Sequence, residues 1–373
     1  MKPIAERVPV SIITGFLGAG KSTLLNRLLK DPSMADTAVI INEFGEVGID
    51  HLLVEASGDS LVELSNGCMC CTVRGELSDT LMSFRDGMAE GRIRPLRRIV
   101  VETSGLADPA PIIQSIIGHP EIMLDFAVDG VLTLVDAVNG LPTLENHEEA
   151  RRQAAMADRL VISKSKLSSP ESAAALRARL RALNPFAEIV DGDSEAAGRY
   201  ETLSTGLYDP STKIPDVTRW LNDSAPHDHH HDHDHHRGGH DHDHDHHHLD
   251  GIESFSIIHD EPVDPAALSM FIDLLRSAHG ESLLRMKAVV QLADDTERPL
   301  VLHGVQAVFH VPERLPKWPD PTDRRSRMVL ITKDLPRDFV QALFDAFTGK
   351  PRIDQPDRQA IEDNPLAIPG MKL

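Results

Sequence analysis

The chain has 373 residues, 41% hydrophobic and 26% charged, and a net charge of −20 that excludes a general nucleic-acid surface or an anionic membrane surface, since both need clustered Lys and Arg. One core rarely organises that length, so two domains are expected, with ample apolar material for a sizeable core. Three cysteines confined to Cys68–Cys71 are too close for a disulfide framework and fit a reduced, cytoplasmic setting, with divalent cations as the natural partners of so acidic a chain.

Lys2 and Arg7 precede an apolar run, Val8 to Gly20, in the outline of a short secretory signal. Cleavage there would destroy the motif the run leads into, so it reads as a buried first strand, and no other stretch reaches membrane-span length. Gly15-Phe16-Leu17-Gly18-Ala19-Gly20-Lys21-Ser22-Thr23 fits G-x-x-x-x-G-K-[ST] and is followed by a helix-like segment, Thr23 to Lys30. The glycines let backbone N–H groups turn inward on a β-phosphate, Lys21 supplies positive charge to the β/γ-phosphates, and the Ser22 hydroxyl is a Mg²⁺ ligand. Gly15, Gly18, Ala19, Gly20, Lys21, Ser22 and Thr23 are therefore the candidate nucleotide-binding residues. The bland alternative, a Gly-rich turn without ligand, does not account for the complete motif between a strand and a helix.

Apolar runs recur at Ala38 to Ile41, Ile99 to Val101, Val131 to Val135 and Leu160 to Ile162, separated by helix-compatible segments. This rhythm predicts an α/β P-loop NTPase domain with a mainly parallel sheet over residues 8–203. Ligands of such sheets bind beyond the strand carboxyl ends, where Asn42-Glu43, Glu102-Thr103-Ser104-Gly105, Asp136 and Ser163-Lys164 fall. Glu102 is placed to hold Mg²⁺ through water, and Gly105 to offer its N–H to the γ-phosphate. Lys21 and Glu102 are the candidate catalytic residues; a plain acidic residue at a strand end is the alternative for Glu102.

Gly67-Cys68-Met69-Cys70-Cys71 gathers three thiols that a borderline metal such as Zn²⁺ can deprotonate together. Three sulfurs leave one tetrahedral position for water, a partner's side chain, Glu43 or Glu46, which suits a site that must release its metal. A buried apolar cluster and a redox role for the C-x-x-C pair Cys68 and Cys71 compete with this reading, and the third thiol favours metal. From His227 to His248 the chain holds 13 of its 20 histidines and six aspartates, with otherwise only Arg237, Gly238 and Gly239. No core can be built from this, so residues 204–250 are expected to be a linker whose segment 227–248 is disordered and captures metal without fixed geometry. An inert linker insertion is the alternative.

Beyond it, Ile252 to Ile258, Arg285 to Leu292, Leu300 to Val311 and Arg327 to Thr332 read as strands, with helices near Pro265 to Ser277 and Pro336 to Phe347. They predict a smaller α+β domain over 251–351 with a largely antiparallel sheet, and a flexible tail over 352–373. His303 and His310 would face opposite sides of one regular strand and read as structural histidines.

Gly15 to Thr23, Asn42-Glu43-Phe44-Gly45-Glu46, Gly67 to Cys71, Glu102-Thr103-Ser104-Gly105-Leu106-Ala107-Asp108-Pro109, Asn184-Pro185 and His303-Gly304-Val305-Gln306 together resemble CobW-type P-loop GTPases, the nucleotide-dependent metallochaperones. The resemblance covers nearly the whole chain. It implies a GTPase domain, a smaller C-terminal domain, often a His-rich stretch between them, and slow GTP hydrolysis coupled to delivery of zinc, or in some branches cobalt, to a client protein. It also implies an N-K-x-D-like guanine reader where this chain has Ser163-Lys164-Ser165-Lys166. Lys164 can pack on the base, but the carboxylate that would accept from guanine is replaced by Lys166. Losing a charged partner costs about 1.5–3 kcal/mol, a roughly ten-fold or greater loss of guanine preference that leaves ATP tolerance open.

The expected mechanism is that γ-phosphate and Mg²⁺ order Asn42 to Asp50 and the Cys68–Cys71 loop, so that nucleotide state sets metal affinity. The rival is a His-rich metal buffer with a slow or vestigial nucleotide site. A small-molecule kinase would share the phosphate loop but gives no reason for the thiols.

Overall fold

A computed structural model describes residues 6–42, 61–63, 72–204, 251–318 and 320–349. The first sheet contains β1 (Val8–Gly15), β2 (Thr37–Asn42), β3 (Leu61–Glu63), β4 (Arg98–Thr103), β5 (Phe126–Asp136), β6 (Arg159–Ser163) and β7 (Glu188–Asp191), in the order β3-β2-β4-β1-β5-β6-β7. All its described pairings are parallel, as the predicted α/β domain requires. The central strands read as continuous apolar runs because both faces are covered. On one face Val10 and Ile12 pack with residues of α2 (Thr72–Ala89), α3 (Ala110–Ile117) and α6 (Glu148–Ala155). On the other, Ile13 packs with Leu24, Leu25 and Leu28 of α1 (Lys21–Leu28). A third cluster joins β5 and β6 to α5 (Gly140–Asn146), α6 and α7 (Pro170–Leu183). The short α4 (Ile122–Asp125) leads into β5.

The second sheet is antiparallel throughout its described pairings: β8 (Ile252–His259), β9 (Leu283–Leu292), β10 (Asp295–Val305), β11 (Val308–Phe309), β12 (Glu313–Arg314) and β13 (Ser326–Lys333). The order is β11-β10-β9-β13-β8, with β12 on β10. Phe255, Ile257, Met286, Ala288, Met328 and Leu330 bury one face under α8 (Pro265–His279) and α9 (Arg337–Phe347). Asp264 starts α8 by accepting the N–H groups of Ala266 and Ala267.

Strand alternation turns the intervening residues toward the first domain, and a register irregularity between β9 and β13 brings Leu284 to that face too. Ile252, Leu284, Val305 and Ile331 join the apolar cluster of α2, α3 and α6. Ser254 donates to Leu183 O at 2.7 Å, and Arg285 and Lys287 both reach Asp158 Oδ1 at 2.5 Å. The two sheets are thus joined by one apolar cluster with a buried ionic contact beside it.

One expectation fails in the second domain. The run Leu300 to Val311 is not a single strand, because Gln306 adopts φ 53° and the chain folds back as β11. His303 and His310 therefore lie side by side, not on opposite faces, with ring centroids 5.1 Å apart and planes 6° from parallel. Burial, and the charges of Arg285 and of His310, push His303 well below the ordinary imidazole range. Burial, Arg7 and Arg285 push His310 down to about 3.

Candidate nucleotide site

β1 and α1 are joined by the phosphate loop at the carboxyl edge of the sheet, where β1 lies between β4 and β5. Gly15, at φ 142°, runs so close to β5 that a Cβ would lie 2.5 Å from Leu134 O. Gly20 precedes α1 at φ 91°, a left-handed conformation that favours glycine. Lys21 folds over the loop and its Nζ donates to Gly15 O at 3.0 Å and Phe16 O at 3.4 Å. The N-terminus of α1 lies at this edge, and a helix N-terminus is a favourable environment for anions.

Ser22 Oγ donates to Glu102 Oε1 at 2.8 Å, so residues 80 positions apart meet at the loop. Glu102 is 5% exposed and lies at the end of β4, in register with Ile13. Beside it Thr103 Oγ1 donates to Thr14 Oγ1 at 2.8 Å, tying the two strand ends together. A hydroxyl and a carboxylate this close form an all-oxygen pair of the kind a hard cation such as Mg²⁺ takes. Gly105 abuts the phosphate loop, where a Cβ would sit 2.7 Å from Leu17 N. The structure thus gathers Gly15, Gly18, Ala19, Gly20, Lys21, Ser22, Glu102 and Gly105 at one edge, with Thr23 exposed on α1.

Lys164 lies across a cleft that it lines with Phe16, Gly18, Ala19 and Asp136. Its φ of 56° is left-handed, and its Nζ donates to Asp136 Oδ2 at 2.8 Å. Burial raises the Asp136 pKa, but Lys164 and the donors Val138 N–H and Asn139 hold it below the ordinary carboxylate range. Ser163 Oγ ties the strand end to the phosphate loop through Ala19 O at 2.7 Å. At Lys166, Asp193 Oδ2 accepts the backbone N–H at 2.9 Å and Ser165 Oγ at 3.1 Å. A carboxylate from just beyond β7 thus supports the Ser163–Lys166 turn. Asp136 appeared in the sequence only as a strand-end residue, and Asp193 had no local signature; their roles arise from contacts between distant elements.

Cys68, Cys70, Cys71, Glu43, Glu46 and His227–His248 lie outside the described residues. The described chain stops before the first of these segments at Asn42, paired with Thr103 beside Glu102, and resumes after the cysteines at Thr72. Among the described residues no group of three or more His, Cys, Asp or Glu could hold a metal ion. None of their helices is long and apolar enough to cross a membrane.

Residues 9–191 match the family model of the CobW/HypB/UreG nucleotide-binding domain, and residues 252–348 that of the cobalamin synthesis protein cobW C-terminal domain. The chain is 30% identical over 345 residues to the zinc chaperone YjiA of Escherichia coli K12, covering 92% of this chain and 98% of that one. It is 36% identical over 230 residues to the zinc chaperone CobW of Pseudomonas aeruginosa, covering 59% and 58% of the two chains. With the zinc-regulated GTPase metalloprotein activator 1 of Schizosaccharomyces pombe it shares 35% identity over 206 residues, 53% of this chain and 48% of that one. The crystal structure of Zn(II)-bound YjiA GTPase from E. coli superposes with a TM-score of 0.63 at 25% identity, covering 93% and 99% of the two chains.

Proposed function

The chain belongs to the CobW/HypB/UreG family, and we propose that it is a GTP-hydrolysing metallochaperone that carries Zn²⁺, or Co²⁺, to a client protein in the cytoplasm. The observation that carries the nucleotide half is the Ser22–Glu102 hydrogen bond beside Lys21, within a loop shaped by Gly15 and Gly20. Lys21 leaves the Gly15 and Phe16 carbonyls for the β/γ-phosphates, and the N–H groups of Gly18 to Thr23 hold the β-phosphate. Mg²⁺, when bound, neutralises charge on the β/γ-phosphates; Ser22 would hold it directly and Glu102 through water. Gly105 offers its N–H to the γ-phosphate, and the Lys164 stem lies along the base.

Zinc is cargo. Cys68, Cys70 and Cys71 hold it, with Glu43 or Glu46 completing the set, and the His/Asp-rich run 227–248 in the linker 204–250 raises local supply. The proximity of Asn42 to Glu102 supports nucleotide-dependent ordering of the segment that starts there. Release follows hydrolysis because the γ-phosphate contact is lost. The names of the relatives, zinc chaperones and a zinc-regulated GTPase activator, support this reading. A His-rich zinc store is the second reading, favoured by the 13 histidines in one run.

Replacement of Lys21 by Ala tests the proposal. Phosphate release from Mg-GTP is expected to fall by about a hundred-fold or more, and nucleotide is expected to lose all influence on zinc affinity. Wild-type hydrolysis in that variant would contradict the nucleotide site, and unchanged coupling would contradict the gating.

A further inference from the structure

Gln153, on α6, is fully buried, and its side chain is spent on the loop that follows Glu102. Nε2 donates to Gly105 O at 3.1 Å and to Ala107 O at 2.9 Å. Both partners are carbonyl oxygens, so only the amide nitrogen can face them, and the orientation of the group is unambiguous. The backbone carbonyl of Gln153 is held in turn by Thr133 Oγ1 at 2.8 Å, which anchors the clamp to β5. Its neighbour Arg152 reaches Asp108 Oδ2 at 3.2 Å, so α6 grips the loop at Gly105, Ala107 and Asp108. Gln153 also lines the cleft shared by Gly18, Ala19, Asp136 and Lys164.

The ordinary account is a buried amide that satisfies two loop carbonyls. That account leaves a cost unexplained, because Oε1 of Gln153 is itself buried with no hydrogen-bond partner among the described residues. A side chain kept for packing alone would avoid that penalty, since an apolar residue of the same shape orphans nothing of its own. What the amide provides is direction. The peptide plane that carries the Gly105 carbonyl is fixed through the donor, and Gly105 has no side chain to fix it otherwise.

We propose that Gln153 is a positioning residue for triphosphate recognition, pinning the Gly105 and Ala107 carbonyls so that the Gly105 loop meets the γ-phosphate without reorganising. The inference rests on the proposed nucleotide reading and adds a residue to it. A diphosphate does not reach Gly105, so its binding is indifferent to the clamp. Loss of the clamp therefore lowers affinity for the triphosphate alone, whereas a purely structural role would lower stability and leave the ratio of the two affinities unchanged.

The test is calorimetric binding of Mg-GTPγS and Mg-GDP to the full chain, for the wild type, Gln153→Met and Gln153→Glu, at acid and alkaline pH. Gln153→Met is expected to weaken the triphosphate by about ten-fold and the diphosphate by less than about two-fold, the effect of one or two lost hydrogen bonds. In Gln153→Glu a protonated carboxyl can still donate to one carbonyl, whereas the ionised form repels both. Its triphosphate preference should therefore fall as pH rises while that of the wild type stays level, a readout that survives even if the Met variant fails to fold. A wild-type affinity ratio in folded Gln153→Met, or a pH-independent ratio in Gln153→Glu, would overturn the proposal. Failure of the wild type to bind either nucleotide would instead remove the nucleotide reading on which it rests.

Discussion

Replacing Asp158 by Ala should loosen the second domain from the first. The Asp158 side chain is 2% exposed and its Oδ1 accepts from Arg285, 5% exposed, and Lys287, 18% exposed, at 2.5 Å each. Its Oδ2 accepts the Val131 N–H at 2.9 Å, so one carboxylate joins the first sheet to two cations of β9. Burial raises its pKa, but Arg285 and Lys287 more than offset that and hold it below the ordinary carboxylate range. Removing it leaves a buried guanidinium without its counter-charge, held through Nη1 to Met156 O and with Nε unpartnered among the described residues, and a second cation that keeps some water. Breaking a buried pair in this way costs about 3–5 kcal/mol, and the partial exposure of Lys287 argues for about 3. Urea unfolding of the full chain measures it, with an expected fall in midpoint of about 1 M for a slope near 3 kcal/mol/M. The triple variant Asp158→Leu, Arg285→Met, Lys287→Met should recover most of the loss, because apolar side chains leave no charge unpaired. A loss under about 1 kcal/mol for Asp158→Ala would refute the view that this contact fastens the domains.

Two further outcomes follow from the same geometry. His303 and His310 are neutral in the folded state, with pKa values below the unfolded value of 6.5, so the unfolded chain binds the extra protons as pH falls. Their stabilising effect is complete above that value and is lost as pH falls below it, by about 2 kcal/mol at about pH 5 for His310, whose folded pKa is about 3. A melting temperature that falls over this range in the wild type but less in His310→Phe is expected; identical pH profiles would contradict it. Lys166→Asp restores a carboxylate at the turn that Asp193 supports and should raise the GTP-over-ATP affinity ratio by about ten-fold, read by competition binding. An unchanged ratio would place base recognition elsewhere.

Much of the fold was legible because the elements that matter are long and apolar. The predicted runs at Val8, Ala38, Ile99, Val131 and Leu160 all became strands, since a parallel sheet buried on both faces requires continuous hydrophobic stretches. β3 and β7 escaped because edge strands of three and four residues carry no period long enough to read. The β10–β11 turn escaped for a different reason: Val305-Gln306-Ala307-Val308 holds no Gly, Pro, Asn or Asp, yet Gln306 takes the left-handed conformation. At the nucleotide site, the phosphate loop and Glu102 were local patterns with a known spacing. Gln153, the Asp193 support and the Asp158 contact were invisible, because each depends on which distant carbonyl, N–H or cation the tertiary fold delivers.

The most direct test of nucleotide-gated zinc carriage is a Zn²⁺ titration against a competing chelator, on protein lacking residues 227–248, without nucleotide and with Mg-GTP or Mg-GDP. A single-equivalent site tightened by Mg-GTP relative to Mg-GDP and abolished by Cys70→Ser is expected, with zinc shifting GTP affinity by the same factor, as linkage demands. Zinc affinity that is the same in all three conditions would contradict it and leave metal storage as the better explanation.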